Sequence, residues 1–451
     1  SEDFQTNSGK GSEYTSNSVF GRVIYSYADR YLFQANIRHD GSSRFAKGYR
    51  WGTFPSFSAG WVMSEEKFMK SLNWDWLSFL KLRGSWGILG NERIGDDYFP
   101  YIALMSFGNS LFYMADGSVV SDKTARPAIL AVEDITWETT TSTDFGLDAN
   151  FFNNRLQFHF DYYWKQTKDM LLKIEIPYFM GYNNPNTNAG KMSTHGYDIE
   201  LAWNDRIGDL QYGVNVNFSD FLSKIDYMND GEQISNGKIK RAGVLFNEYY
   251  GYVCDGIYQT QEEVNNSART STTVTVGDLK YRDISGPDGV PDGIISPEYD
   301  RVPLGNSLPR FQYGGTFNAS YKGIDFSIAF QGIGKQNSYL STAMVQPLRD
   351  NYGSVPSIIE GKYWSPFNTA EENLSARYPR LSNVSKSNNY ATSSFWMFNG
   401  SYFRLKNLTL GYTLPETWTQ KAGIDRVRFY ISGSDLFCLS NFPDGWDPEM
   451  G

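Results

Sequence analysis

Phe145-Gly146-Leu147-Asp148-Ala149-Asn150-Phe151 reads as two interleaved lists: Phe, Leu, Ala and Phe at the odd positions, Gly, Asp and Asn at the even ones. A β-strand turns successive side chains to opposite faces, so this stretch is a strand greasy on one side and wet on the other. The same dyad recurs in Tyr197-Asp198-Ile199-Glu200-Leu201-Ala202-Trp203-Asn204, in Tyr212-Gly213-Val214-Asn215-Val216-Asn217-Phe218-Ser219 and in Ile324-Asp325-Phe326-Ser327-Ile328-Ala329-Phe330-Gln331. Working outward, twelve segments carry it, near 18–28, 31–40, 52–63, 77–88, 137–151, 155–168, 196–204, 209–221, 311–321, 324–334, 399–412 and 426–437. Most run 9 to 15 residues, well above the ~5–6 usual for strands of globular domains.

The connections are of two kinds. Short ones lie at Asp29-Arg30, Asn153-Asn154, Asp205 to Gly208 and Lys322-Gly323, with moderate ones at 64–76 and 413–425. Between them fall long stretches rich in Gly, Asn, Ser and Asp at 89–136, 169–195, 222–310 and 335–398. A soluble sandwich or propeller has no reason to gather its long loops at one end, whereas a transmembrane β-barrel has short periplasmic turns and long extracellular loops. In hydrocarbon every backbone N–H and C=O needs a protein partner, so such a row of strands must close on itself. The expectation is all-β, a transmembrane antiparallel β-barrel to which this chain contributes about twelve strands. Phe145, Leu147, Ile199, Leu201, Val214, Val216, Phe326 and Ile328 should face lipid, and Asp148, Glu200 and Asn217 the lumen. Aromatics such as Tyr162-Tyr163-Trp164 and Phe395-Trp396 are expected in an interface girdle.

Composition excludes several other classes. The 451 residues are 16% aromatic and 40% hydrophobic, too apolar for a disordered chain. No stretch approaches the ~18 uncharged apolar residues of a spanning helix. The net charge of −9, with no basic run interleaved with aromatics, argues against nucleic acid as a partner. Cys254 and Cys438 are the only cysteines, without the spacing of a disulfide scaffold, zinc site or redox motif. The sequence opens at Ser1 without a leader, so a targeting signal is expected upstream. The parity of the first and last strands likewise calls for more strands on both sides.

Several stretches together resemble a known family: Arg38-His39-Asp40-Gly41-Ser42-Ser43-Arg44-Phe45, Trp51-Gly52-Thr53-Phe54-Pro55-Ser56, Leu80-Lys81-Leu82-Arg83-Gly84-Ser85-Trp86-Gly87 and Gly90-Asn91. Trp137-Glu138-Thr139-Thr140, Gly277-Asp278-Leu279-Lys280-Tyr281-Arg282-Asp283, Leu304-Gly305-Asn306, Leu405-Lys406-Asn407-Leu408-Thr409-Leu410-Gly411-Tyr412-Thr413-Leu414-Pro415 and Asp447-Pro448-Glu449 follow in order. In these the chain resembles the SusC-like (RagA-type) TonB-dependent outer-membrane transporters, over the C-terminal part of their barrel. The resemblance implies a barrel of about 22 strands with a plugged lumen, whose plug and TonB box have no counterpart in residues 1–451. It further implies import of an oligosaccharide, or alternatively a peptide, with a SusD-like surface lipoprotein as partner. Coupling to the TonB complex through the plug, contact with membrane lipid and lipopolysaccharide, and association of two transporter–lipoprotein pairs also follow from it. A passive porin is a rival that only a plug and TonB box would exclude.

The clearest candidate site is the acidic loop 277–300, with Asp278, Asp283, Asp288, Asp292, Glu298 and Asp300. Carboxylates along a Gly-turned loop suit a hard cation, Ca²⁺ or Mg²⁺, for which Asp283, Asp288 and Asp292 are the candidate ligands. Val290 and Tyr299 stand where an EF-hand-type loop needs oxygen ligands, and a solvated acidic turn is the alternative. Of His39, His159 and His195, the second falls on the polar side of its strand, a lumen position. Tyr249-Tyr250, Tyr252 and Tyr363-Trp364 could stack on sugar rings, line a girdle or pack loops together. No nucleophile elbow, zinc or P-loop motif occurs, so no enzyme is expected. A secreted glycan-binding or glycan-cleaving protein using Asp198 and Glu200 is the alternative of another class.

Overall fold

In the computed structural model the described residues are 11 and 13–450, apart from 96, 230, 342–344, 350–352, 354 and 444. Twelve strands form one sheet in chain order: β1 Ser16–Tyr27, β2 Tyr31–Ser42, β3 Trp51–Val62, β4 Leu77–Asn91, β5 Glu138–Phe151, β6 Leu156–Lys173, β7 Asn186–Ile207, β8 Leu210–Met228, β9 Arg310–Tyr321, β10 Ile324–Lys335, β11 Tyr402–Thr413 and β12 Arg428–Ser440. Each matches one of the segments that alternation marks. The chain divides into two compact units, one of residues 1–199 with 222–231 and 241–243, the other of 200–221, 232–240 and 244–451.

In the first unit the register turns the alternation of single strands into rows that cross the sheet. Tyr27, Tyr31, Trp61, Leu82, Leu147 and Phe160 stand directly opposite one another from β1 to β6. Arg22, Asn36, Ser56, Gly87, Ser142 and Lys165 make a parallel row on the other face. In the second unit Val214, Phe317, Ile328 and Leu408 form an apolar row, and Gly213, Asn318, Ser327, Thr409 and Ser432 a polar one. Such apolar cross-strand neighbours stabilise a sheet by roughly 0.2–1 kcal/mol per pair. A one-residue slip would turn every side chain to the wrong face, so the solvent on each side fixes the register.

The apolar face is uncovered. Phe145 is 64% exposed and Leu201 38%, and Phe57 stacks on Trp86, 5.9 Å between centroids, in the open. Asp148 stands opposite His159 and Lys81 on the polar face, Asn217 opposite Gly314, and Glu200 accepts a hydrogen bond from Asn215 (2.8 Å). Asn153 and Asn154 close their turn in the left-handed region, with φ 57° and 64°, a conformation asparagine tolerates well.

The loops differ from expectation in three places. The stretch 169–195 is mostly strand, since β6 runs to Lys173 and β7 starts at Asn186. Beyond the bilayer both faces of a strand are wet, so apolar alternation ends before the hydrogen-bonded ladder does. Within 89–136 an exposed hairpin pairs Met105–Tyr113 with Val119–Pro127. Finally, Trp396 is no girdle residue: it is 0% exposed among loop side chains, and its Nε1–H donates to the Asn389 carbonyl (2.8 Å).

Placing Lys at Leu147 or Ile328 in the complete transporter should cost about 2–4 kcal/mol near the bilayer midplane, whereas Lys at Ser142 or Ser327 should be far better tolerated. Equilibrium unfolding of the four variants in lipid vesicles measures the contrast; equal costs on both faces would contradict this orientation.

Candidate functional site

The polar face of the wall combines neutral hydrogen-bonding side chains with charges that neutralise each other. In the first unit Arg83 on β4 donates to Asp161 on β6 (2.7 Å) and to Asp148 on β5 (3.1 Å), while His159 Nδ1 lies 3.0 Å from Asp148. Arg83 and Asp161 are separated by β5, where the residue between them is Gly146. A Cβ there would come within 2.5 Å of the Arg83 guanidinium carbon and 2.7 Å of the Asp161 carboxylate. Glycine is therefore the seat over which the ion pair spans three strands. In the second unit Arg428 on β12 meets Asp325 on β10 across Gly411 of β11, at 2.5 Å, and a Cβ on Gly411 would lie 2.6 Å from both partners. Arg310 and Asp220 form a further pair with two hydrogen bonds.

In the second unit, parts of the stretches 222–310 and 335–398 fold into one body. Tyr252, Leu279, Tyr281, Ile295, Val345 and Trp396 make its core. Its polar centre is Asp278, which is 0% exposed. The carboxylate accepts from Arg380 Nε (2.7 Å), Ser385 Oγ (3.0 Å), Asn389 Nδ2 (3.0 Å) and the Thr275 backbone N–H (3.0 Å). A buried carboxylate is tolerated only when its charge is paired and its lone pairs are occupied, and this one meets both conditions. Around it Asn388 donates to the Leu279 carbonyl and Asn389 accepts from the Leu279 N–H, each at 2.9 Å. Burial pushes the Cys254 thiol beside this core up to about 11, and both cysteines are free. Burial works against the charge of Glu263, but the Lys280 ammonium at 2.5 Å and two backbone N–H groups outweigh it and hold the carboxyl below its usual range.

The remaining acids of 277–300 are turned to local use. Asp300, also buried, accepts from the Ile284 and Ser296 N–H groups (2.7 Å each). Asp283 Oδ2 accepts from Gly293 N–H (2.7 Å) and Asp292 Oδ1 from Ile294 N–H (2.9 Å), while Asp288 is exposed. Among the described residues no three His, Cys, Asp or Glu side chains converge in a way that could hold a metal ion. Tyr249, Tyr250, Tyr252 and Trp364 are all buried, so they pack loops rather than present rings to a ligand. Asp198 and Glu200 lie two apart on one strand and share its polar face, which is not the opposed pair that glycoside hydrolysis needs.

A family model of TonB-dependent receptor-like β-barrels matches residues 2–432. The chain belongs to that family. Within it the chain is SusC-like, and it is an outer-membrane protein. It is 32% identical over 452 residues to the TonB-dependent receptor P3 of Formosa agariphila, covering 96% of this chain and 42% of that receptor. With the TonB-dependent receptor SusC of Bacteroides thetaiotaomicron it shares 31% identity over 447 residues, 96% of this chain and 41% of SusC. The RagAB peptide transporter structure superposes with a TM-score of 0.76 over 97% of this chain and 45% of that one, at 23% identity, a likeness of fold. The chain thus spans about two fifths of the curated relatives it matches.

Replacing Asp278 by Ala leaves Arg380 without its carboxylate, a loss of about 3–5 kcal/mol for a broken buried pair. Limited proteolysis of the intact protein should then cut in both 270–300 and 377–398 while the barrel keeps its heat-resistant migration. Unchanged protection of both stretches would contradict the coupling.

Proposed function

We propose that this chain forms part of the wall and extracellular face of an importer that carries a large nutrient, an oligosaccharide in the first place, across the outer membrane with energy from the TonB complex. The observation that carries the choice is the make-up of the polar face. Arg83, Arg428 and Arg310 are neutralised by Asp161, Asp325 and Asp220 within the wall itself. Asn36 and Ser142 in the first unit and Asn318 and Thr409 in the second add amides and hydroxyls, which suit the hydroxyl groups of a neutral glycan, beside charged groups on the same face at Arg22, Lys165, Asp198 and Glu200. The name of the RagAB transporter supplies the second reading, a peptide. The extracellular loop body, fixed by its own core, offers a firm surface for a lipoprotein partner, and two such pairs are proposed to associate.

Uptake of a neutral oligosaccharide and of a peptide of similar mass by cells bearing the complete transporter separates the readings. Import of the oligosaccharide that stops when the proton-motive force is collapsed is expected. Uptake that persists without the force would establish a passive pore, and import of the peptide alone would replace the substrate.

One observation keeps a cation in the 277–300 loop as a second proposal. Asp283 Oδ1 is buried and has no hydrogen-bond partner, and a cation there would take this oxygen as a ligand, with Asp288 and Asp292 having to move in from the adjoining turn to join it. Chelation by EDTA should then speed proteolysis within 283–296 and leave the barrel intact; unchanged cleavage makes the loop a charged turn only.

A further inference from the structure

Of the sequence stretches that carry the resemblance, the one beginning at Leu405 has entered the description of the wall only from Leu408 onward, and Asp447-Pro448-Glu449 not at all. In the structure they meet. The segment after β12 turns back at Pro443, whose carbonyl accepts from the Trp446 N–H (3.2 Å). Phe442 is buried, with its ring edge-on to Phe398 at 6.1 Å. Trp446 packs against the core of the loop body, the cluster that contains Trp396. Pro448 is buried, and the two acids beside it reach the polar face of the sheet.

There they find a built receptor. Arg404 on β11, only 8% exposed, bonds to Asp447 and stands 3.3 Å from Glu449 and 3.7 Å from Asp435. Lys406 lies 3.2 Å from Glu449 and 3.0 Å from Asp435. Gln331 on β10 donates to Glu449 (2.9 Å) and to the Tyr402 hydroxyl (3.2 Å). A bulge between Leu405 and Asn407 supplies the geometry. It changes the parity of β11, so that Arg404 before it, Lys406 within it and Asn407 and Thr409 after it all serve the polar face, while Leu405 and Leu408 keep the apolar one. The bulge thus sets a second cation beside Arg404, aimed at the same segment.

We infer that residues 442, 443 and 445–449 belong to a strap folded inward from the extracellular rim and locked to the lumen face by Arg404 and Lys406, forming a fixed ledge that limits the size of ligand admitted on this side. Arg404 is a positioning residue: it holds Asp447, and through it the ledge. The size-limiting role rests on the import reading above; the lock does not. Its charges explain the segment's composition, since the cations sit within the wall and the acids arrive from the strap, and its aromatics are the hooks to the loop body.

The test uses the complete transporter in outer membranes, with chymotrypsin added from outside and uptake measured over a ladder of oligosaccharide lengths. Wild type should resist cleavage after Trp446. Glu449→Lys, which places a cation against Lys406, should open the Trp446 site and extend uptake severalfold towards longer oligomers, with the change in Vmax rather than KM. Glu449→Lys combined with Lys406→Glu restores the attraction, and should restore both the protection and the wild-type length limit. Unchanged cleavage in Glu449→Lys would overturn the lock. Cleavage without any change in length limit would overturn the ledge. If energised wild-type cells import no oligosaccharide at all, the import reading falls, and with it the ledge, while the proteolysis of the swap pair still decides the lock. Unaltered heat-resistant migration identifies the variants that have folded.

Discussion

Hydrocarbon offers the backbone no hydrogen-bonding partner, and most of the architecture follows from that. Each strand has to exchange its N–H and C=O groups with neighbours along the whole depth of the bilayer, which accounts for ladders of 12 to 22 residues. Because one face meets lipid and the other water, the period of two is imposed on the sequence at every strand, and the register that aligns Tyr27, Tyr31, Trp61, Leu82, Leu147 and Phe160 is the one that keeps all six in lipid. A soluble protein would bury such a row; here Phe145 stays 64% exposed because the solvent on that side is oil.

The polar face obeys a different rule. Charges there are bound within the wall, and twice the pairing is achieved across an intervening strand by leaving out a side chain, at Gly146 beneath Arg83 and Asp161 and at Gly411 beneath Arg428 and Asp325. Such pairs tie each strand to its second neighbour as well as its first, which stiffens a wall that has no hydrophobic core. Outside the bilayer, stability comes from the ordinary source, a packed core around Trp396 and a buried carboxylate with a full set of donors.

The strands were legible in the sequence because the bilayer writes its constraint locally: Phe145 to Phe151 can be read without knowing what lies beside it. All twelve wall strands lie where the alternation places them. Their outer ends were not legible, since Met170, Leu171 and Leu172 put apolar side chains on both faces and 186–195 is polar on both, so that alternation carries no signal at either. The loop body was hidden for another reason. Asp278 looks like one acid among six in its own stretch, and its partners Arg380, Ser385 and Asn389 lie over a hundred residues away. Only the burial of Asp278 separates it from the exposed Asp288. Likewise Tyr249, Tyr252 and Trp364 suit sugar stacking by type, and only their burial shows them to be packing.

The central claim, that this chain is a membrane wall with one lipid and one aqueous face, is tested most directly by nitroxide scanning of residues 143–151 in the complete protein reconstituted in lipid. Accessibility to oxygen, which concentrates in the bilayer, should peak at Phe145, Leu147, Ala149 and Phe151, and accessibility to a water-soluble nickel chelate should run lower there and rise at the even positions. Two profiles out of phase with a period of two are the result expected. Profiles in phase, or oxygen accessibility uniformly low as in a soluble core, would contradict the account.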